Sequence, residues 1–100
     1  MVTRCSMVDV KVLEALLEWT RSNNAVIDVY FQETGYRLRI DRMFRAVDPG
    51  GNIVPWARAF GTKKLSDLFD TFKVKQVSLR RADTQQTFRS LEELLKNVHV

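Results

Sequence analysis

The spacing of apolar residues changes several times along the chain, and each change marks an element. Val10, Leu13, Leu16, Leu17 and Thr20 recur at helical spacing and predict a helix over residues 7–22. Ser6 followed by Asp9 resembles a capping box, and "SNN" at 22–24 supplies a stop, because Asn tolerates the left-handed backbone of a helix end. "AVIDVYFQ", residues 25–32, is rich in β-branched and aromatic residues and reads as a strand. A second strand is expected from Tyr36 to about Val47. With a two-residue Thr34-Gly35 turn, Phe31 faces Leu38, Val29 faces Ile40 and Ile27 faces Arg42. On the opposite face Gln32 meets Arg37, Tyr30 meets Arg39, and Asp28 meets Asp41. The apolar pairs then collect on one side, which a one-residue slip would undo.

"DPGGN", residues 48–52, is a loop, and a third strand is expected from Ile53 to Phe60. Pro55 lacks an amide hydrogen and assigns that strand to a sheet edge or a bulge. The period then turns helical: Leu65, Leu68, Phe69 and Phe72 form a stripe, with Thr62 as N-cap. Residues 73–81 return to strand, with Val77 and Leu79 on one face and Val74 on the other. "ADTQ" turns the chain into a short strand from Gln86 to Arg89. Ser90 and Glu93 open a closing helix carrying Leu91, Leu94, Leu95 and Val98. The expected fold is a single compact α+β domain over residues 1–100 in the order α-β-β-β-α-β-β-α. Its sheet is mostly antiparallel, of about five strands, with the helices mainly on one face.

Composition narrows the class. With 45% hydrophobic and 28% charged residues, the chain has the balance of a soluble globular protein. No apolar run approaches the ~20 residues of a membrane span. The N-terminus is a poor secretory signal, and one cysteine, Cys5, forms no internal disulfide; a cytoplasmic setting is expected. Net charge is +4, but residues 36–81 hold eleven bases against four acids, and such a field favours an acidic partner.

Chemistry is sparse. Cys5 and His99 lie at opposite ends with no orienting partner, no His/Cys spacing suits zinc, and no glycine-rich loop joins a strand to a helix. No catalytic residue, metal ligand or cofactor is assigned, and the protein is expected not to be an enzyme. Three binding readings stand. The first is a non-catalytic binding or regulatory module that recognises an acidic partner and self-associates. Val12, Ala15 and Trp19 form a second apolar row on the first helix, and an open sheet edge is available, so a homodimer is a candidate. The second is nucleic-acid binding through a basic sheet face with Arg37, Arg39, Arg45 and Tyr30, aided by Lys63, Lys64, Lys73 and Lys75. Only one stacking aromatic lies there, and the ordinary alternative is a solvated face whose arginines pair with Asp28 and Asp41. The third is a small-anion pocket. Strand parity puts Arg42 on the inner face, and a five-residue loop pairing Val47 with Ile53 sets it opposite Arg58, beside Trp56. Buried like charges need a carboxylate, such as Asp67 or Asp70, or a bound anion. Otherwise both side chains reach out to the rim.

Overall fold

The structure, a computed structural model, describes residues 10–98. Six strands form one antiparallel sheet: β1 (Ala25–Phe31), β2 (Arg37–Ile40), β3 (Phe44–Val47), β4 (Ile53–Val54), β5 (Val74–Arg81) and β6 (Thr84–Phe88). Their order across the sheet is β4-β3-β2-β1-β5-β6. The helices are α1 (Val10–Asn23), the five-residue α2 (Trp56–Phe60), α3 (Leu65–Thr71) and α4 (Leu91–Asn97). The α+β class and the expected element order hold, with boundaries refined at several places, the last strand among them, which runs Thr84–Phe88 and not Gln86–Arg89.

The first refinement is the β1–β2 register. Val29 pairs with Leu38 and Ile27 with Ile40, a shift of two residues from the tight-turn expectation. Residues 32–36 form a longer connection instead of a Thr34-Gly35 turn. Gly35 matters there for space: a Cβ on it would lie 2.8 Å from Pro49 Cγ, in the β3–β4 loop. A two-residue shift preserves parity, so every side chain keeps its face and changes only its partner. Asp28 therefore faces Arg39, not Asp41.

The second refinement splits the expected strand from Tyr36 to Val47. Ile40 pairs with Phe44, and Asp41, Arg42 and Met43 turn between them. Arg42 takes φ 65°, a left-handed conformation that costs about 1–2 kcal/mol in a residue with a Cβ. Three hydrogen bonds hold it. Its amide donates to Thr20 Oγ1 at 3.4 Å, its guanidinium to Asn24 Oδ1 at 3.1 Å, and its carbonyl accepts from Arg21 at 3.1 Å. The end of α1 thus straps the turn down. Asn24, at φ 51°, is the left-handed stop expected of "SNN".

Third, the expected strand 53–60 ends after two residues. Val47 does pair with Ile53, but Pro55, extended at φ −58° and ψ 141° and without an amide hydrogen, ends the strand and stands as the N-cap of α2. Fourth, a bulge between Tyr30 and Phe31 shifts the β1–β5 register, so Phe31 pairs with Val74. The extra residue brings Val74 onto the inner face instead of the outer one. α3 begins at Leu65 with Lys64, not Thr62, at its N-cap; the Asp67 carboxylate accepts from the Lys64 amide at 3.0 Å. α4 opens as expected, with Ser90 Oγ accepting from the Glu93 amide at 3.2 Å.

The core lies between the helices and one sheet face. Leu13 and Leu16 of α1, Leu68 of α3, and Leu91 and Leu94 of α4 pack against Ile27, Val29, Leu38, Ile40, Val77 and Leu79, all essentially buried. Phe31 meets Phe60, Phe69 and Phe72 with ring centroids 5.5–6.2 Å apart, which closes the end under α2 and α3. Trp19 is half-buried, its ring covered by the Arg81 guanidinium at 5.4 Å. Val12 shares a shallow groove with Leu95 of α4. Of the second apolar row of α1, Val12 thus borders the closing helix, Ala15 is exposed and Trp19 lies under Arg81 of β5. No described helix is long and apolar enough to cross a membrane.

Candidate anion-binding site

The other sheet face carries no helix. Alternation along the strands gives it Val26, Asp28 and Tyr30 from β1, Arg37 and Arg39 from β2, and Arg45 and Val47 from β3. β5 adds Gln76, Ser78 and Arg80, and β6 adds Gln85 and Thr87. A residue on such a face is normally wet. Asp28 is only 4% exposed, and the cause is local: long side chains from the flanking strands close over it.

Arg39 makes the closest contact. Its Nε donates to Asp28 Oδ1 at 2.8 Å and its terminal nitrogen to Oδ2 at 3.2 Å, the two-pronged geometry that matches a guanidinium to a carboxylate. These bonds, followed by the attraction of the Asp28 and Asp41 charges, hold the Arg39 guanidinium above its ordinary range. Arg37 and Arg80 each bring a terminal nitrogen to 3.9 Å from Oδ2, close enough for attraction but not for a hydrogen bond. Arg37 is held from the other side. It donates to the Tyr30 hydroxyl at 3.0 Å, and its guanidinium lies 4.7 Å from the centre of that ring. Its Nε is buried and has no acceptor.

Asp28, Tyr30, Arg37, Arg39, Ser78, Arg80 and Gln85 together line a depression of about 240 Å³. Three guanidiniums surround one carboxylate there, leaving an excess of two positive charges. Each guanidinium carries five N–H donors. Asp28 and Tyr30 occupy three of those available; the Arg80 side chain, 48% exposed, is anchored by attraction alone. The site can accept a compact oxyanion, with Asp28 fixing the directions of the donors.

The residues expected to bind separate into two groups. Arg37, Arg39, Arg45 and Tyr30 share the helix-free face, and Arg45 sits directly across from Arg39. Lys63 and Lys64 lie with the helices instead: Lys63 extends its amine over the Phe72 ring at 5.8 Å, and Lys64 caps α3. Lys73 and Lys75 are exposed at the start of β5, around the bulge. Tyr30 has one ring face occupied by Arg37.

The inner-face pairing of Arg42 with Arg58 does not form. Arg42 is exposed in the β2–β3 turn with Asn24 as its partner, and Arg58 is exposed on α2. Trp56 donates Nε1 to the Lys63 carbonyl at 2.8 Å and packs on Phe60 at 4.9 Å. The assumed continuous strand is interrupted on both sides, so neither arginine is buried and no anion is needed to balance them. Asp67 is engaged at the α3 start.

Sequence reasoning missed Asp28, Ser78, Arg80 and Gln85 as members of one site. The available signal was an acid in the middle of an otherwise apolar strand, "AVIDVYF", with arginines at alternate positions of a neighbouring strand. Among the described residues no cluster of three or more His, Cys, Asp or Glu side chains could hold a metal ion; Cys5 and His99 lie outside the described residues, as do Ser6 and Asp9. No family model, curated protein or solved structure matches the chain.

Proposed function

We propose that the protein is a small, non-catalytic binding module that takes one oxyanion of an acidic partner, a phosphate or a carboxylate, on the helix-free sheet face. Arg37, Arg39 and Arg80 supply the donors, and Asp28 organises them. The buried, unpartnered Nε of Arg37 beside an excess of positive charge is the observation that supports this reading most. Recognition of a single group is favoured over tracking of a nucleic-acid strand. The one aromatic ring on the face is already covered by an arginine, and the lysines that would extend a basic track lie with the helices or near the bulge.

Thermal melting with inorganic phosphate at constant ionic strength tests the proposal. At ten times the dissociation constant the gain is about 1.4 kcal/mol, or roughly 6 °C for a chain this size. Arg80→Gln should abolish the rise, while Arg58→Gln should leave it unchanged. A rise that survives Arg80→Gln would place the anion elsewhere. A mixed oligonucleotide separates the nucleic-acid reading: affinity that falls with salt at a slope of about −5 or steeper indicates strand tracking, and a shallow slope indicates one bound group.

A further inference from the structure

The two edges of the sheet are built differently. β4, at one edge, is two residues long, and Pro55 and α2 end it. Short length and proline are standard protections against edge-to-edge pairing. β6, at the other edge, runs for five residues, "TQQTF", without a charge, a proline or a bulge, and its first four residues are exposed. Arg81 and Thr84 close the two-residue turn Ala82-Asp83. Closing pairs of such hairpins are hydrogen-bonded, so the backbone groups of Thr84, Gln86 and Phe88 face β5. Those of Gln85 and Thr87 then point outward, and among the described residues no turn, loop or cap bond takes them up.

From this edge we infer that a second copy of the chain pairs with β6, antiparallel and two-fold, in the register centred on Gln86. Three conditions select that register. Outward-facing groups must meet each other, and Gln85 here faces Thr87 of the second copy, twice. A slip of one residue would set an outward residue against an inward one. Charges must not clash, and here Asp83 comes beside Arg89 of the second copy at both ends. Centring on Gln85 instead would bring Arg81 against Arg89, a like-charge pair. Faces must match, and directly opposed residues share a face, so the helices of both copies fall on one side. The result is a continuous twelve-stranded sheet. Among the described residues no side-chain hydrogen bond or ion pair competes for Asp83 or Arg89; only the Arg89 amide is engaged, by Glu93.

The inference is independent of the anion reading, because the charge swap at Asp83 and Arg89 that decides it touches no residue lining the anion site. In light scattering at micromolar concentration the full chain should show twice its 11.6 kDa mass. The amides of Gln85 and Thr87 should exchange more slowly as concentration rises. Asp83→Arg should weaken the dimer about tenfold by placing two arginines together at each end, and Asp83→Arg combined with Arg89→Asp should restore it. Gln85→Pro, which removes an outward donor at an edge position where proline is tolerated, should give a monomer. Where that variant melts early, the charge swap alone decides. A monomeric wild type would overturn the inference, as would a dimer whose affinity ignores both the single swap and its reversal.

Discussion

Replacing Asp28 by Asn removes a charge and almost no volume, so it isolates what the carboxylate does. In the wild type Asp28 is 4% exposed, accepts two bonds from Arg39 and lies near two further guanidiniums. Breaking a buried ion pair by removing one partner costs about 3–5 kcal/mol, because the other charge is left uncompensated. Two features place this site below that range. The Arg37 and Arg39 side chains retain 16% and 17% exposure, and Asn keeps one acceptor. The expected loss is about 2–3 kcal/mol, which lowers the melting temperature of a domain this size by roughly 8–15 °C. Denaturant melts of Asp28→Asn, Arg39→Gln and the double variant should give a coupling energy above about 1 kcal/mol. An external oxyanion should also rescue Asp28→Asn more than it stabilises the wild type, because it meets donors the carboxylate has vacated. A loss within about 0.5 kcal/mol of zero, the level of an ordinary surface substitution, would refute the reasoning and return Asp28 to the role of a solvated acid.

Three further outcomes follow from the fold. Leu38→Ala, at a fully buried position, should cost about 2–5 kcal/mol in denaturant melts, whereas Ile53→Ala, 54% exposed on the edge strand, should cost under about 0.5; similar costs would contradict the assignment of faces. Ala82 stands at φ 47° in the β5–β6 turn, so Ala82→Gly should stabilise by a few tenths to about 1 kcal/mol, relief of left-handed strain exceeding the entropy cost of glycine; a clear loss would count against that backbone. The Asn52 amide bonding to Asp48, followed by weaker bonds within the same loop, holds the Asp48 carboxyl below its ordinary value. A lowered folded value means that its contribution to stability is present above the unfolded value and is lost as pH falls through the folded one. NMR titration should therefore show Asp48 protonating below the usual ~3.9, with the 48–52 loop loosening in step.

Much of this architecture was readable because strand parity is robust. The β1–β2 register moved by two residues, yet Leu38 and Ile40 stayed on the core face and Arg37 and Arg39 on the other, since a shift by a whole side-chain period changes partners and not sides. The partners carried the functional information. With Asp28 facing Asp41, the outer face read as two carboxylates blunting an arginine stripe; with Asp28 facing Arg39, it becomes one buried acid holding three arginines. The hairpin at Asp41–Met43 was hidden because its left-handed position is an arginine, not a glycine or asparagine, and its support comes from Thr20, Arg21 and Asn24, far off in sequence. "IVPWARAF" reads as a strand, but Pro55 offers no amide hydrogen to extend the ladder, and Trp56–Phe60 turns helical after it. The contribution of Arg80 could not be seen before β5 was placed beside β1, a pairing between segments about fifty residues apart.

Central to the account is a carboxylate on the helix-free face that presents three arginines to an incoming oxyanion. Nitrogen-15 NMR of the arginine side chains, recorded while phosphate is added at constant ionic strength, tests this most directly. The Nε–H signals of Arg37, Arg39 and Arg80 should move together along one saturable curve while those of Arg42 and Arg58 stay in place. Equal, non-saturating drifts of all five signals would contradict it.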